Sequence, residues 1–190
     1  MADEIIGAIP EPLSTCDVAV DDETVITLRR HGNPSGPRLV LCHGNGLAID
    51  LYYPFWSLLL ADFDLILYDL RNHGWNSVSS LGNHTLPALV EDHDKVLAAI
   101  DAHYGIKPKV GVFHSVSALV TLLSPNKGDD FLARVLFDPP CVSRDVGTWN
   151  LKPRRRAWLQ SPDVGRHGLK PGKNWRRFSR TFRLSGARSP

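Results

Sequence analysis

Four short apolar runs, RLVLC at 38–42, LILYD at 65–69, KVGVF at 109–113 and ARVLFD at 133–138, run into polar or glycine-bearing loops and alternate with helix-like segments. A strand that is apolar on both sides of its pleat must be covered on both faces, and a helix between successive strands provides that cover. The chain is therefore restricted to an α/β class: a mostly parallel sheet flanked by helices. VITLR at 25–29 adds a strand ahead of these, separated from them by the turn chemistry of HGNPSGP.

The segments between the strands read as helices. LPALVEDHDKVLAAIDAHYG places Leu86, Leu89, Val90, Leu97, Ile100 and Tyr104 on one face at a period of 3.6, with Thr85 as cap and Gly105 as terminator. YYPFWSLLLADF spaces Trp56, Leu59, Leu60 and Phe63 by three and four, which also predicts a helix. VSALVTLL follows the third apolar strand directly. At 190 residues the chain is long enough for one domain with a sizeable core.

Charge divides the chain. Residues 1–151 hold 10 Lys+Arg against 19 Asp+Glu, a net of −9, whereas residues 152–190 hold 12 against 1, a net of +11. The expected organisation is a core at 20–150 and a basic, irregular tail or partial lid at 151–190. Cys16, Cys42 and Cys141 are widely spaced with no C-x-x-C pair, which predicts neither a disulfide framework nor a zinc site. The acidic N-terminus lacks the positive start of a secretory signal, and no run approaches the ~20 apolar residues of a membrane span, so the cytoplasm is the expected compartment.

In a sheet of this kind ligands bind at the carboxyl ends of the strands. Three polar tripeptides fall there: His43-Gly44-Asn45, Arg71-Asn72-His73 and His114-Ser115-Val116. A serine hydroxyl is a poor nucleophile unless a base removes its proton and donors stabilise the oxyanion formed on attack. A turn from strand into helix offers the donors, because the first helical amides have no intrahelical partner; here the Val116 amide is the candidate.

LVLCHGNG, LYDLRNHGWNS and VFHSVSA, taken together and in this order, resemble the α/β-hydrolase superfamily, whose members commonly read HG-x-G, D-x-R-G-x-G-x-S and G-H-S-x-G-G at these strand ends. The similarity covers about residues 25–140. It implies that Ser115 is the nucleophile, that the amides of Asn45 and Val116 form the oxyanion hole, that carboxylic esters or related acyl compounds are the substrates, and that no cofactor is needed. Two positions depart from the family pattern: Phe113 and Ser117 stand where glycines are usual, so Phe113 must find space for a ring.

The same resemblance implies an acid and a histidine after two final strands. Only about 50 residues follow ARVLFD, and they are Arg-rich, so the last two strands are expected to be missing and the fold C-terminally truncated. Asp138, at the end of the last strand, is the candidate acid. Asp145 and Asp163 are further carboxylates, and His167 is the single histidine after Ser115, in a turn-rich segment. His43 and His73 are read as structural, and His114 as turned away from the serine. Activity is accordingly expected to be impaired, and a non-catalytic ligand-binding fragment is the alternative.

Gly44-Asn45-Gly46 with Asp69 suggests a nucleotide site, but Ile49 stands where the third glycine belongs. The +11 tail interleaves Trp158, Trp175, Phe178 and Phe182 with arginines, as a nucleic-acid binder would, but the acidic body and lack of a motif argue against that partner. A metal set of His84, Asp92, His93 and Asp94 has no facing pair on its helix. The expected partners are a small acyl substrate and, through an unfinished sheet edge, other copies of the chain.

Overall fold

The structure, a computed structural model, describes residues 9–125 and 131–140. Six strands form one sheet in the order β1-β2-β4-β3-β5-β6, comprising β1 (Ser14–Ala19), β2 (Val25–Gly32), β3 (Arg38–Cys42), β4 (Asp64–Tyr68), β5 (Lys109–His114) and β6 (Ala133–Phe137). β2 is antiparallel to β1 and β4, while β3, β4, β5 and β6 run parallel. The four apolar runs of the sequence are these four parallel strands. β1 was not among the strands read from the sequence, because STCDVA is a half-exposed edge strand that buries only alternate residues.

Both faces of the sheet are covered. From β3, Val40 and Cys42 point into one core with Ile66, Tyr68, Phe113 and Ile100, whereas Leu39 and Leu41 point into another with Ile49, Trp56, Leu65 and Leu67. The first core lies under α2 (Leu86–Tyr104) and α3 (Val116–Leu123), the second under α1 (Tyr53–Trp56). The Thr85 hydroxyl caps α2 by accepting from the Ala88 amide, and Gly105, at φ 80°, ends it.

The helix expected over 52–63 is broken into a 3₁₀ turn at Ile49–Tyr52, the four residues of α1, and a second 3₁₀ turn at Ser57–Leu59. Side-chain anchoring replaces helical length. The fully buried Trp56 donates its indole N–H to the Ile49 carbonyl at 3.1 Å and packs against His31 and Tyr53.

Phe113 finds its space through a displaced glycine. Its ring is fully buried, in edge-on contact with His93 and Phe131. Gly111, two residues earlier on the same face of β5, lies beneath that ring: a Cβ there would stand 2.4 Å from Phe113 Cε2 and 3.1 Å from Phe131 Cε1. Gly111→Ala is expected to destabilise the fold by about 1–3 kcal/mol through overpacking. A urea midpoint equal to wild type would show that the ring has room to move.

Cys141, Asp145, Asp163, His167, the expected division at 150/151 and the basic tail all lie outside the described residues. Among the described residues no helix is long and apolar enough to cross a membrane.

Candidate active site

β5 passes into α3 through a single residue. Ser115 sits there at φ 54° and ψ −117°, a strained conformation for a residue with a side chain, costing on the order of 1–3 kcal/mol. Its backbone is held from both directions: its amide donates to the Phe137 carbonyl at 2.8 Å, and its carbonyl accepts from the Leu119 amide at 3.1 Å, which starts α3. The half-buried Ser115 side chain thus stands at the carboxyl end of the sheet, before the first amides of the helix. Val116 is the first helical residue, and Asp138, at φ 46°, directly follows β6, the strand beside β5.

The loop after β3 presses on this turn. A Cβ at Gly44 would meet the Ser115 Cβ at 3.0 Å and His114 Nδ1 at 2.8 Å, so only glycine permits the approach. The ends of β3 and β5 are therefore adjacent in space, with Gly44 against Ser115.

Three histidines brace the loop. His43 Nδ1 lies 2.7 Å from the Gly44 carbonyl, and its Nε2 stands between the Leu70 amide at 3.1 Å and Asp69 Oδ1 at 3.2 Å. His73 accepts from the Gly46 amide at Nε2 (2.9 Å) and donates from Nδ1 to the Arg71 carbonyl (2.8 Å). His84 Nε2 donates to Asn45 Oδ1 at 3.1 Å, and the His73 ring lies 5.3 Å from each of the other two. Burial pushes the pKa of His73 down and that of His84 to about 4, so both rings favour the neutral form, which His73 needs in order to accept at Nε2. His43 and His73 are structural, as their sequence context suggested. His114 binds the Tyr52 hydroxyl through Nδ1 at 2.5 Å, and that hydroxyl also accepts from the Gly44 amide at 3.4 Å. His114 thus engages Tyr52 through Nδ1 and packs on the loop beside Ser115.

Beneath the loop lies Asp69, 1% exposed. Oδ1 accepts from the Ile49 amide at 2.7 Å; Oδ2 accepts from Arg29 at 3.1 Å and the Trp75 amide at 3.3 Å. Burial alone would raise its carboxyl, but His43, the Ile49 amide and Arg29 outweigh it and hold it below the usual range. Gly74 makes this possible, since a Cβ there would overlap the carboxylate. With both oxygens taken up inside the protein, Asp69 has none to offer a ribose, and the nucleotide reading loses its acidic residue.

Arg71 makes a bidentate pair with Asp92, both contacts at 2.6 Å, and His93 turns inward to the Tyr68 hydroxyl at 2.9 Å. Among the described residues no group of three or more His, Cys, Asp or Glu is placed to hold a metal ion. Sequence reasoning missed Tyr52 and took up His84 only as part of a metal set, because neither lies in one of the three strand-end motifs. Asp69 carried a usable signal, as the first residue of the D-x-R run.

No curated protein sequence matches the chain. Among solved structures it is similar to an esterase from Rhodococcus sp., at 29% identity with a TM-score of 0.55, covering 65% of this chain and 45% of that one. It is also similar to a proline iminopeptidase-related protein from Thermus thermophilus (22%, TM-score 0.55, 66% and 44%) and an epoxide hydrolase from Vigna radiata (21%, TM-score 0.55, 71% and 42%). The chain therefore spans less than half the length of these proteins. The profile of the alpha/beta hydrolase family matches residues 39–188. With its strand order, its serine at the β5–α3 turn and a family match over most of its length, the chain belongs to the alpha/beta hydrolase family.

Proposed function

We propose that this chain is a serine hydrolase acting on carboxylic esters or related acyl compounds, with Ser115 as nucleophile and the Asn45 and Val116 amides as oxyanion donors. The observation that carries this reading is the strained Ser115 backbone, pressed against Gly44 so closely that a Cβ could not stand between them. Ser115 Oγ attacks the carbonyl carbon and the carbonyl oxygen takes the negative charge. Amides fixed beforehand stabilise that charge without reorganising, which is the largest single contribution in many acyl-transfer enzymes. Similarity to an esterase at 29% identity supports esters within the broader class.

Asp138 is the candidate acid, one residue beyond the Phe137 carbonyl that accepts from the Ser115 amide. The general base is left unassigned: both ring nitrogens of His43 and His73 are engaged within the protein, and His114 gives Nδ1 to the Tyr52 hydroxyl. Oxyanion donors alone leave a residual acceleration of about 10³–10⁴ over water, so acylation is expected to be slow.

Treatment of the full chain with a fluorophosphonate, followed by peptide mapping, tests the reading. The adduct is expected on Ser115 and absent from Ser115→Ala. An adduct on another residue, or equal labelling of both proteins, removes Ser115 from the mechanism.

A further inference from the structure

Ser117, the second residue of α3, occupies a position where the family motif carries glycine, and it is 1% exposed. Its hydroxyl is in use. The His114 amide donates to Oγ at 3.0 Å, and Oγ lies 3.1 Å from the Cys42 carbonyl oxygen and 3.0 Å from that of His114, which share its one proton. Cys42 ends β3 and pairs with Phe113 in the parallel ladder, so these contacts lie at the last rung between β3 and β5. Beyond that rung one chain becomes the His43-Gly44-Asn45 loop and the other becomes Ser115.

We propose that Ser117 is a positioning residue: its hydroxyl bridges the ends of β3 and β5 and thereby sets the spacing between Ser115 and the loop at 44–46. This rests on the reading of Ser115 as nucleophile and of that loop as oxyanion donor. The bridge accepts a hydrogen bond from the β5 side and shares its proton with a carbonyl on the β3 side, so beyond the last rung of the ladder it adds a direct tie to the one that Tyr52 makes between His114 and the Gly44 amide. Glycine or alanine at 117 leaves the His114 amide and the Cys42 carbonyl either unsatisfied or drawn together, and either outcome moves the serine relative to the loop. Reaction rates respond steeply to such movement, because a displacement of ~1 Å can cost about a hundredfold.

The test compares wild type, Ser117→Ala, Ser117→Thr and Ser115→Ala. Fluorophosphonate inactivation is split into its half-saturation concentration and its bond-forming rate constant, and amide hydrogen exchange is followed at His114 and residues 44–46. Ser117→Ala is expected to slow bond formation about tenfold with half-saturation unchanged, and to speed exchange at His114 and the loop about tenfold. Ser117→Thr, which keeps a hydroxyl, is expected to restore both. If alanine prevents folding, Ser117→Cys, with a weaker hydrogen bond, is expected to shift both readouts in the same direction by a smaller factor. Unchanged bond formation together with unchanged exchange at 44–46 overturns the proposal. A wild type that takes no label on Ser115 overturns the nucleophile reading instead, and exchange at 44–46 in Ser117→Ala then decides the bridge by itself.

Discussion

Asp69→Ala is expected to destabilise the fold by about 3–5 kcal/mol, a large part of the 5–15 kcal/mol that holds an ordinary domain together. Arg29, fully buried, loses one of its two carboxylates and keeps only Asp50, bound at 2.6 Å and partly exposed. The Ile49 amide, inside the second core, loses its acceptor, and a buried donor without one costs about 1–3 kcal/mol. Glycine at 74 leaves no side chain to fill the vacated volume. Asp69→Asn keeps the shape and an acceptor oxygen but loses the charge beside Arg29, so it is expected to cost less than alanine. Urea unfolding measures both, and an alanine variant within 1 kcal/mol of wild type would refute this account of the network. The consequence reaches the site, because Asp69 ties Arg29 on β2 and Trp75 after β4 to the start of the 3₁₀ turn that follows the Gly44–Gly46 loop.

How much of this was legible beforehand depends on whether a residue's role is local. The parallel strands were, because continuous apolar runs have one physical use. Thr85 and Gly105 were, because capping is decided by neighbours in the chain. The turn at Ser115 was, since a serine between a buried strand and a helix carries its own geometry. Roles that depend on distant partners were not. Phe113 looked like an obstacle to the tight turn, and only the fold shows Gly111 yielding the space. Ser117 stood out only as a departure from the family glycine, yet its hydroxyl reaches Cys42, 75 positions earlier. His84 lay outside every motif until the loop after β4 brought it to Asn45. The helix expected over 52–63 failed for the same reason: its anchors are a tryptophan buried against β2 and a carbonyl seven residues earlier, neither visible as periodicity.

Stability is expected to fall steeply as pH drops from about 6.5 toward 4, with the fold at full strength above that window. Burial pulls the pKa of His31, His84 and His93 down to about 4, with Arg29, His73 and Arg71, and Arg134 adding to the effect, and Asp50 and Asp94 opposing it at His31 and His93. An unfolded chain titrates its histidines near 6.5, so between these values it binds protons that the folded chain refuses. Stability therefore rises with pH through the window, by about 1.4 kcal/mol per pH unit for each fully engaged group. His31 and His93, 2% and 1% exposed, give the firmest contribution, about 3 kcal/mol per unit near its middle. Asp92 opposes the trend, because burial raises its carboxyl despite Arg71. His73 connects the effect to the site, because a proton on its Nε2 removes the acceptor of the Gly46 amide. Urea midpoints at pH 7, 5.5 and 4.5 measure the slope, with His93→Gln expected to flatten it by about one histidine's share. A midpoint constant from pH 7 to 5 would mean that these rings reach water in the folded chain.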